Sequence, residues 1–267
     1  MERLPESGNR DLQRSGRIGM RIVKSVFIGV LAVSTVVSGF AQNEGTKKEL
    51  SVEESYLQES IEAMVIREQS RAESRDMKYV ALEYINEAIS EGRATEEIHK
   101  TLDFLALEGV VNKSREGGVG RVTNNYPDVR AKAVAYLGDI GGEAAKNSLV
   151  KVVLSDPEPM VLTEAVRSLA KIGLNDNEEV ATSISWILSR FDILNPDNSL
   201  ALAALNAFDS IAKQNNGIKD PGTIRMIIKI SEGSYIRPVQ NRAKEVLNNL
   251  RQYSAANAAK ENKNGKK

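Results

Sequence analysis

The amino-acid sequence predicts an all-α fold in which antiparallel helix pairs stack into a solenoid. Segments with the alternating pattern of β-strands are nearly absent. Apolar residues recur instead at spacings of three and four along most of the chain, which places them on one face of successive helices. Two of these helices also repeat each other at an offset of 32 residues. Because one helix pair cannot bury its apolar side alone, such units are expected to stack and share a core.

The clearest repeat relates residues 127–141 to residues 159–173. The two segments align without a gap and share a proline at the start, a glycine at the end and Val, Ala, Val, Leu and Ile between them. Proline is tolerated in the first turn of a helix, and glycine readily takes the left-handed conformation that ends one. A second helix follows each of these segments, at 143–154 and at 178–191.

The helical pattern continues, less regularly, on both sides of these two units. The additional predicted helices are 51–71, 76–90, 95–107, 199–212, 223–231 and 239–250. We therefore assign residues 42–75 to an N-terminal capping helix and residues 76–253 to the repeat domain, whose far end is capped by the polar face of 239–252. Residues 254–267 lack large apolar side chains, and we expect them to form a disordered polar tail.

The first repeat resembles a HEAT repeat, closest to the short HEAT-like subtype first noted in phycobilin lyases. Residues 128–141 read DVRAKAVAYLGDIG, which is similar to the family pattern D-x-V-R-x-x-A-x-x-A-L-G-x-I-G except that Asp128 and Val129 are adjacent. The second unit has Leu162 where the pattern has arginine. The resemblance implies a right-handed, armadillo-type superhelix that serves as a binding scaffold, with its second helices usually lining the concave surface.

The N-terminus has the features of a secretory signal peptide. Residues 26–37 carry no charge, Arg21 and Lys24 precede them, and Gly39 and Ala41 fit the small residues of a cleavage site. We expect cleavage after Ala41 and export to the periplasm or cell envelope. The alternative is that the segment stays uncleaved as an N-terminal membrane anchor, which would be the only membrane contact.

The start of translation is a separate question, because residues 1–19 are polar and add nothing that export needs. A start at Met20 would begin directly with a compact leader, MRIVKSVFIGV. Either Met1 or Met20 is compatible with a leader that occupies residues 1–41.

The composition excludes several classes of function. The chain of 267 residues has no cysteine and one histidine, and its 36 basic residues balance 36 acidic ones. Without cysteine there is no disulfide, thiolate nucleophile or cysteine-bound metal. Balanced charge argues against nucleic acid as a partner, since nucleic-acid binding usually needs a basic surface. We expect no cofactor, no metal and no catalytic site.

Two features that suggest chemistry have simpler interpretations. His99 lies in a helix with Glu96 and Asp103 one turn away on either side, and we interpret it as a histidine among surface carboxylates rather than a general base. Residues 113–121 are rich in glycine and basic side chains, which could cradle an anion. The loop lacks the phosphate-binding motif and a preceding strand, so we expect a mobile connection.

Trp186 is the most informative single residue for function. Helical spacing places it on the opposite side of its helix from Ile184, Ile187 and Leu188, together with Arg190. One reading is an exposed anchor for a partner protein, since tryptophan beside arginine is common at binding sites. The other is that Trp186 packs on the neighbouring repeat, because a solenoid helix is buried on more than one side.

Basic residues on the second helices form a candidate binding stripe around Trp186 and Arg190. The other members of this stripe are Lys146, Asn147, Lys151, Arg225 and Lys229. We expect the stripe to bind an acidic surface of another protein, unless it is simply a solvated helix face.

These observations favour an exported, non-enzymatic scaffold that mediates protein–protein interaction in the periplasm or cell envelope. The alternative is a HEAT-like lyase or a DNA-glycosylase-type enzyme that acts through its concave face. A glycosylase would need a cytosolic location and a strongly basic surface, and a lyase would need reactive side chains around a deep pocket.

Overall fold

The computed structural model describes residues 51–264 apart from 118–119 and 192–195. Within these ranges the chain forms ten α-helices and one short 3₁₀ turn, and its only β-pairing is two isolated bridges in the 108–122 loop. The helices are α1 (Val52–Arg71), α2 (Arg75–Ser90), α3 (Glu96–Leu107), α4 (Pro127–Ile140), α5 (Gly142–Ser155), α6 (Pro159–Ile172), α7 (Glu179–Phe191), α8 (Asn198–Asn215), α9 (Pro221–Glu232) and α10 (Arg237–Asn264).

The helices form the predicted solenoid of stacked antiparallel pairs. The first helices of the pairs, α2, α4, α6, α8 and α10, pack in sequence as one layer. The second helices, α3, α5, α7 and α9, pack in sequence as the other layer, with α1 placed before α3. Each second helix also lies against the first helix of the following unit. Every predicted helix is present within about three residues at each end, except the last one, which is longer.

The residues that the two clearest repeats share are the ones that the core buries. The buried pairs are Val129 and Val161, Ala133 and Ala165, Val134 and Val166, and Leu137 and Leu169. Gly141 and Gly173, which end the two first helices, both have positive φ values, of 70° and 75°. The repeated residues therefore define both the shared core and the ends of the helices.

The first-helix layer is fixed by contacts that reach the backbone of the neighbouring helix. The Ser168 hydroxyl on α6 donates to the Val134 carbonyl on α4 over 3.0 Å. A Cβ added at Gly138 would lie 2.6 Å from the Ser168 side chain and 3.0 Å from its Cα. Ser210 on α8 makes the corresponding kind of contact with the Ala170 carbonyl on α6, over 3.1 Å. Small residues thus allow the first helices to approach closely.

Buried ion pairs hold the long connection between α3 and α4. Lys78 and Glu108 are both buried and lie 2.8 Å apart, and Asn124 donates to the Glu108 carboxylate. The Arg130 guanidinium contacts buried Asp156 at 2.6 Å and also donates to the Glu108 carbonyl. The ends of this loop are therefore fixed to the stack, and the mobility predicted for residues 113–121 stays a prediction.

The two ends of the stack differ from the sequence prediction. Helix α1 does not present the polar outer face expected of a cap, because Leu57, Ile61 and Met64 are each more than half exposed along one side of it. Residues 254–264 continue α10 instead of forming the predicted disordered tail. Alanine, lysine and glutamate make up most of this segment, and their high helical propensity favours a helix there.

The predicted leader, residues 1–41, and the start of the predicted capping segment lie outside the described residues. No helix within the described ranges combines the length and apolar character that crossing a bilayer requires.

Candidate interaction surface

The second helices α5, α7 and α9 present equivalent positions side by side. Leu149, Ile184 and Ile227 are fully buried and occupy the same place in their three helices. Two residues after each of them comes an exposed position, held by Lys151, Trp186 and Lys229. We call the exposed side of α5, α7 and α9 the second-helix surface.

Trp186 lies near the centre of this surface and does not pack into the neighbouring repeat. Trp186 is 45% exposed on the outer side of α7. The Arg190 guanidinium lies over the indole ring, 5.1 Å from the ring centroid. Of the two readings of Trp186, the structure therefore supports the exposed one, and a cation–π contact with Arg190 covers part of the ring.

Several of the predicted basic residues are exposed around Trp186. Lys151, Arg190 and Arg225 are exposed, and none of them forms an ion pair with any residue that the structure describes. Asn147 and Lys229 are exposed on the same side of α5 and α9. The structure thus brings six of the seven predicted site residues to one surface.

Lys146 is the exception, and its assignment to a binding surface is wrong. Its side chain is only 3% exposed, and its ammonium contacts Glu143 at 2.6 Å and Glu179 at 3.1 Å. The hydrogen bond that Lys146 donates to Glu143 raises the pKa of Lys146 more than burial lowers it. Lys146 occupies the position that the fully buried Ala181 has in α7. It therefore joins the starts of α5 and α7 and is not available to a partner.

Sequence reasoning overlooked two exposed apolar residues on the second helices. Leu154 on α5 is 46% exposed, and Ile228 on α9 is 40% exposed. Ile228 has the position of Ser185, which contacts α9, so it faces the end of the stack. Helical spacing from the buried residues was the available signal, but only the packing shows that no other described helix covers these two side chains.

The opposite surface carries two shallow grooves that the sequence did not predict. One groove lies between α4 and α6 and the other between α6 and α8, and Arg167 and Ser199 line both. Alanines such as Ala135 and Ala207 line the grooves, and Met160 and Leu202 are exposed there. The available signal was the number of alanines on the first helices.

Several cations of this first-helix surface are paired, in contrast to those around Trp186. Lys171 pairs with Asp139 between α6 and α4, and Arg242 contacts Asp209 at 2.7 Å between α10 and α8. Arg167 contacts Glu164 on its own helix at 3.3 Å. The ion pairs of this surface therefore include two that join neighbouring first helices.

The features that could carry chemistry remain apart. His99 is half-buried on α3, and its Nε2 atom, Asp103 Oδ1 and Gln69 Oε1 are buried without a hydrogen-bond partner. In the 113–121 loop, Arg115 donates to the Gly120 carbonyl. No three histidine, aspartate or glutamate side chains in the described ranges come together as metal ligands do.

The comparison with known families agrees with this architecture. Residues 121–190, which contain α4 to α7, match the family model of HEAT repeats. HEAT repeats generally mediate interactions with other proteins. A comparison with curated proteins gives no match for this chain.

Proposed function

We propose that this HEAT-type α-solenoid is an exported, non-enzymatic scaffold that holds another protein in the periplasm or cell envelope. The observation that carries the proposal is the exposed Trp186, which lies beside cations without partners in the described chain on an otherwise well-packed stack. A half-exposed tryptophan leaves apolar surface in water that a partner would bury, and tryptophan and arginine are enriched among the residues that dominate binding.

Export is supported by the sequence of the leader. The basic residues Arg21 and Lys24, the uncharged stretch 26–37 and the small residues before position 42 have the order of a signal peptide. An uncleaved anchor would place the same solenoid at the membrane surface, on the same side.

Cell fractionation of the full-length chain tests the location. We expect recovery in the periplasmic or envelope fraction, with Gln42 as the first residue found by N-terminal sequencing. An intact N-terminus in the membrane fraction would support the anchored form. Recovery of the full-length chain in the cytosol would refute export and return the lyase and glycosylase alternatives to consideration.

Site-specific photo-crosslinking in intact cells tests the scaffold role. A crosslinker at Thr182, which is exposed on α7 one turn before Trp186, is expected to capture a protein partner. A crosslinker at Arg167 on the first-helix surface is the matched control. Capture from neither position would refute the scaffold role, and capture from Arg167 alone would move the binding site to the first-helix grooves.

A further inference from the structure

We infer, on the premise of the proposed scaffold function, that the second-helix surface binds an extended acidic segment of the partner across α5, α7 and α9. An aromatic or large apolar side chain of that segment packs on Trp186, and acidic side chains on either side of it contact Lys151 on α5 and Arg225 on α9.

The negative charge of the partner segment follows from the exposed cations that form no ion pair within the described chain. Lys151 and Arg190 form no ion pair with any described residue, and Arg225 forms none either. Glu143 and Glu179, at the starts of α5 and α7, contact the buried ammonium of Lys146. The cations around Trp186 are therefore left to attract carboxylates of another molecule, which would favour both encounter and register.

The apolar part of the partner follows from the second set of exposed residues. Leu154 lies one turn from Lys151, and Trp186 lies one turn from Arg190. A segment that crosses the three helices would meet an apolar and a basic side chain on α5 and on α7, and the basic Arg225 on α9. A partner with charge alone would leave Leu154 and Trp186 in water, so an acidic segment with a central apolar residue fits best.

The spacing of the helices sets the spacing of the motif. Packed helices lie about 8–10 Å apart, and an extended chain advances about 3.3 Å per residue. One helix therefore corresponds to about three residues of the segment. The motif that fits is a glutamate, an aromatic residue three positions later and a second glutamate three positions after that, aligned with α5, α7 and α9.

The chain has one tryptophan, so its fluorescence reports directly on the proposed site. The probes are synthetic peptides in which two glutamates flank a central phenylalanine at spacings of two, three and four positions. We expect the three-position peptide to change the emission of Trp186 with the tightest binding, and the affinity to fall as salt is added. A peptide with lysine in place of both glutamates serves as the charge control.

Substitutions separate the contributions of the cations and of Trp186 to peptide binding. Binding to each variant is measured by the fluorescence anisotropy of a label on the peptide. Lys151→Glu and Arg190→Glu should each weaken binding by tenfold or more, and Trp186→Ala should do the same. Arg167→Ala, on the first-helix surface, should leave binding unchanged. Circular dichroism checks that each variant keeps its helix content.

The inference fails if no glutamate peptide binds more tightly than about 1 mM, or if the lysine peptide binds equally well. It also fails if a single-stranded oligonucleotide binds more tightly than the peptides, because the surface would then recognise phosphate rather than carboxylate. If the inference fails in any of these ways, capture of a protein by the crosslinker at Thr182 in cells would still support the scaffold function.

Discussion

The two helix layers of this solenoid use their exposed side chains in different ways. On the first-helix surface, Lys171 and Arg242 pair with acids of the neighbouring unit, and serine hydroxyls bind its backbone. On the second-helix surface, Lys151 and Arg190 have no acidic partner in the described chain, and Trp186 is almost half exposed. The exposed side chains named here for the first layer thus join neighbouring units, whereas Lys151, Arg190 and Trp186 of the second layer make no such contact between the described units.

The largest expected effect comes from the close approach within the first layer. Gly138→Val should destabilise the fold by about 3 kcal/mol, because its side chain would overlap Ser168 and push α4 from α6. Chemical denaturation measures the loss. Thr182→Val, which places the same side chain at an exposed position of the second layer, should stay within about 0.5 kcal/mol. Equal losses in both variants would mean that the layers do not differ in packing.

Two lysines on the same helix sharpen the comparison. Lys146→Met should cost about 1–2 kcal/mol, because Glu143 and Glu179 lose the ammonium that joins α5 to α7. The cost stays moderate because both carboxylates remain partly exposed to water. Lys151→Met should change stability by less than about 0.5 kcal/mol. Urea unfolding of the pair provides the test, and a Lys151 variant as unstable as the Lys146 variant would show that Lys151 is also structural.

The start of α9 offers a smaller effect that depends on pH. Asp220 caps this helix by accepting hydrogen bonds from the Thr223 hydroxyl and amide, each over 2.7 Å. Burial acts to raise the pKa of Asp220, but these hydrogen bonds outweigh it and hold the pKa below its usual value. Asp220→Ala should therefore cost about 1 kcal/mol at neutral pH.

The sign of the pH dependence follows from that lowered pKa. The cap contributes fully above about pH 4, the ordinary pKa of aspartate, and its contribution disappears as the pH falls through the lower folded value. Denaturation of both proteins between neutral and acidic pH should show the two stabilities converging only in acid. A difference that is already lost at pH 6 would contradict this account.

The smallest expected change in stability is at the residue with the largest proposed role in binding. Trp186→Ala should lower the free energy of unfolding by less than about 1 kcal/mol, because the indole contacts mainly Arg190 and solvent. The same variant should lose its capture of the partner in the crosslinking experiment. A large drop in melting temperature would place Trp186 in the core and remove the contrast between the two layers.

Much of the fold could be predicted from local sequence patterns. The repeat of Val129, Ala133 and Leu137 at 161, 165 and 169 identified the buried face, and the turn residues located the helix ends. Trp186 and Lys151 were also placed correctly on the outer side of their helices. Helical periodicity assigns a side chain to a face of its own helix, and for these residues no other element of the described chain covers that face.

Other positions depended on which neighbour covers each face. Lys146 was expected at the surface, but the start of α7 lies over it and supplies Glu179. The apolar residues Leu57 and Ile61 were expected to belong to a capping helix, but nothing in the described chain packs on that side of α1.

The sequence by itself determined the helices, their repeated apolar faces and the stacking of the units, because these follow from local spacing and from the need to bury apolar surface. Only the tertiary structure decided which cations are neutralised and which remain free. An ion pair between repeats depends on the distance between side chains of different helices, and that distance is set when the helices pack.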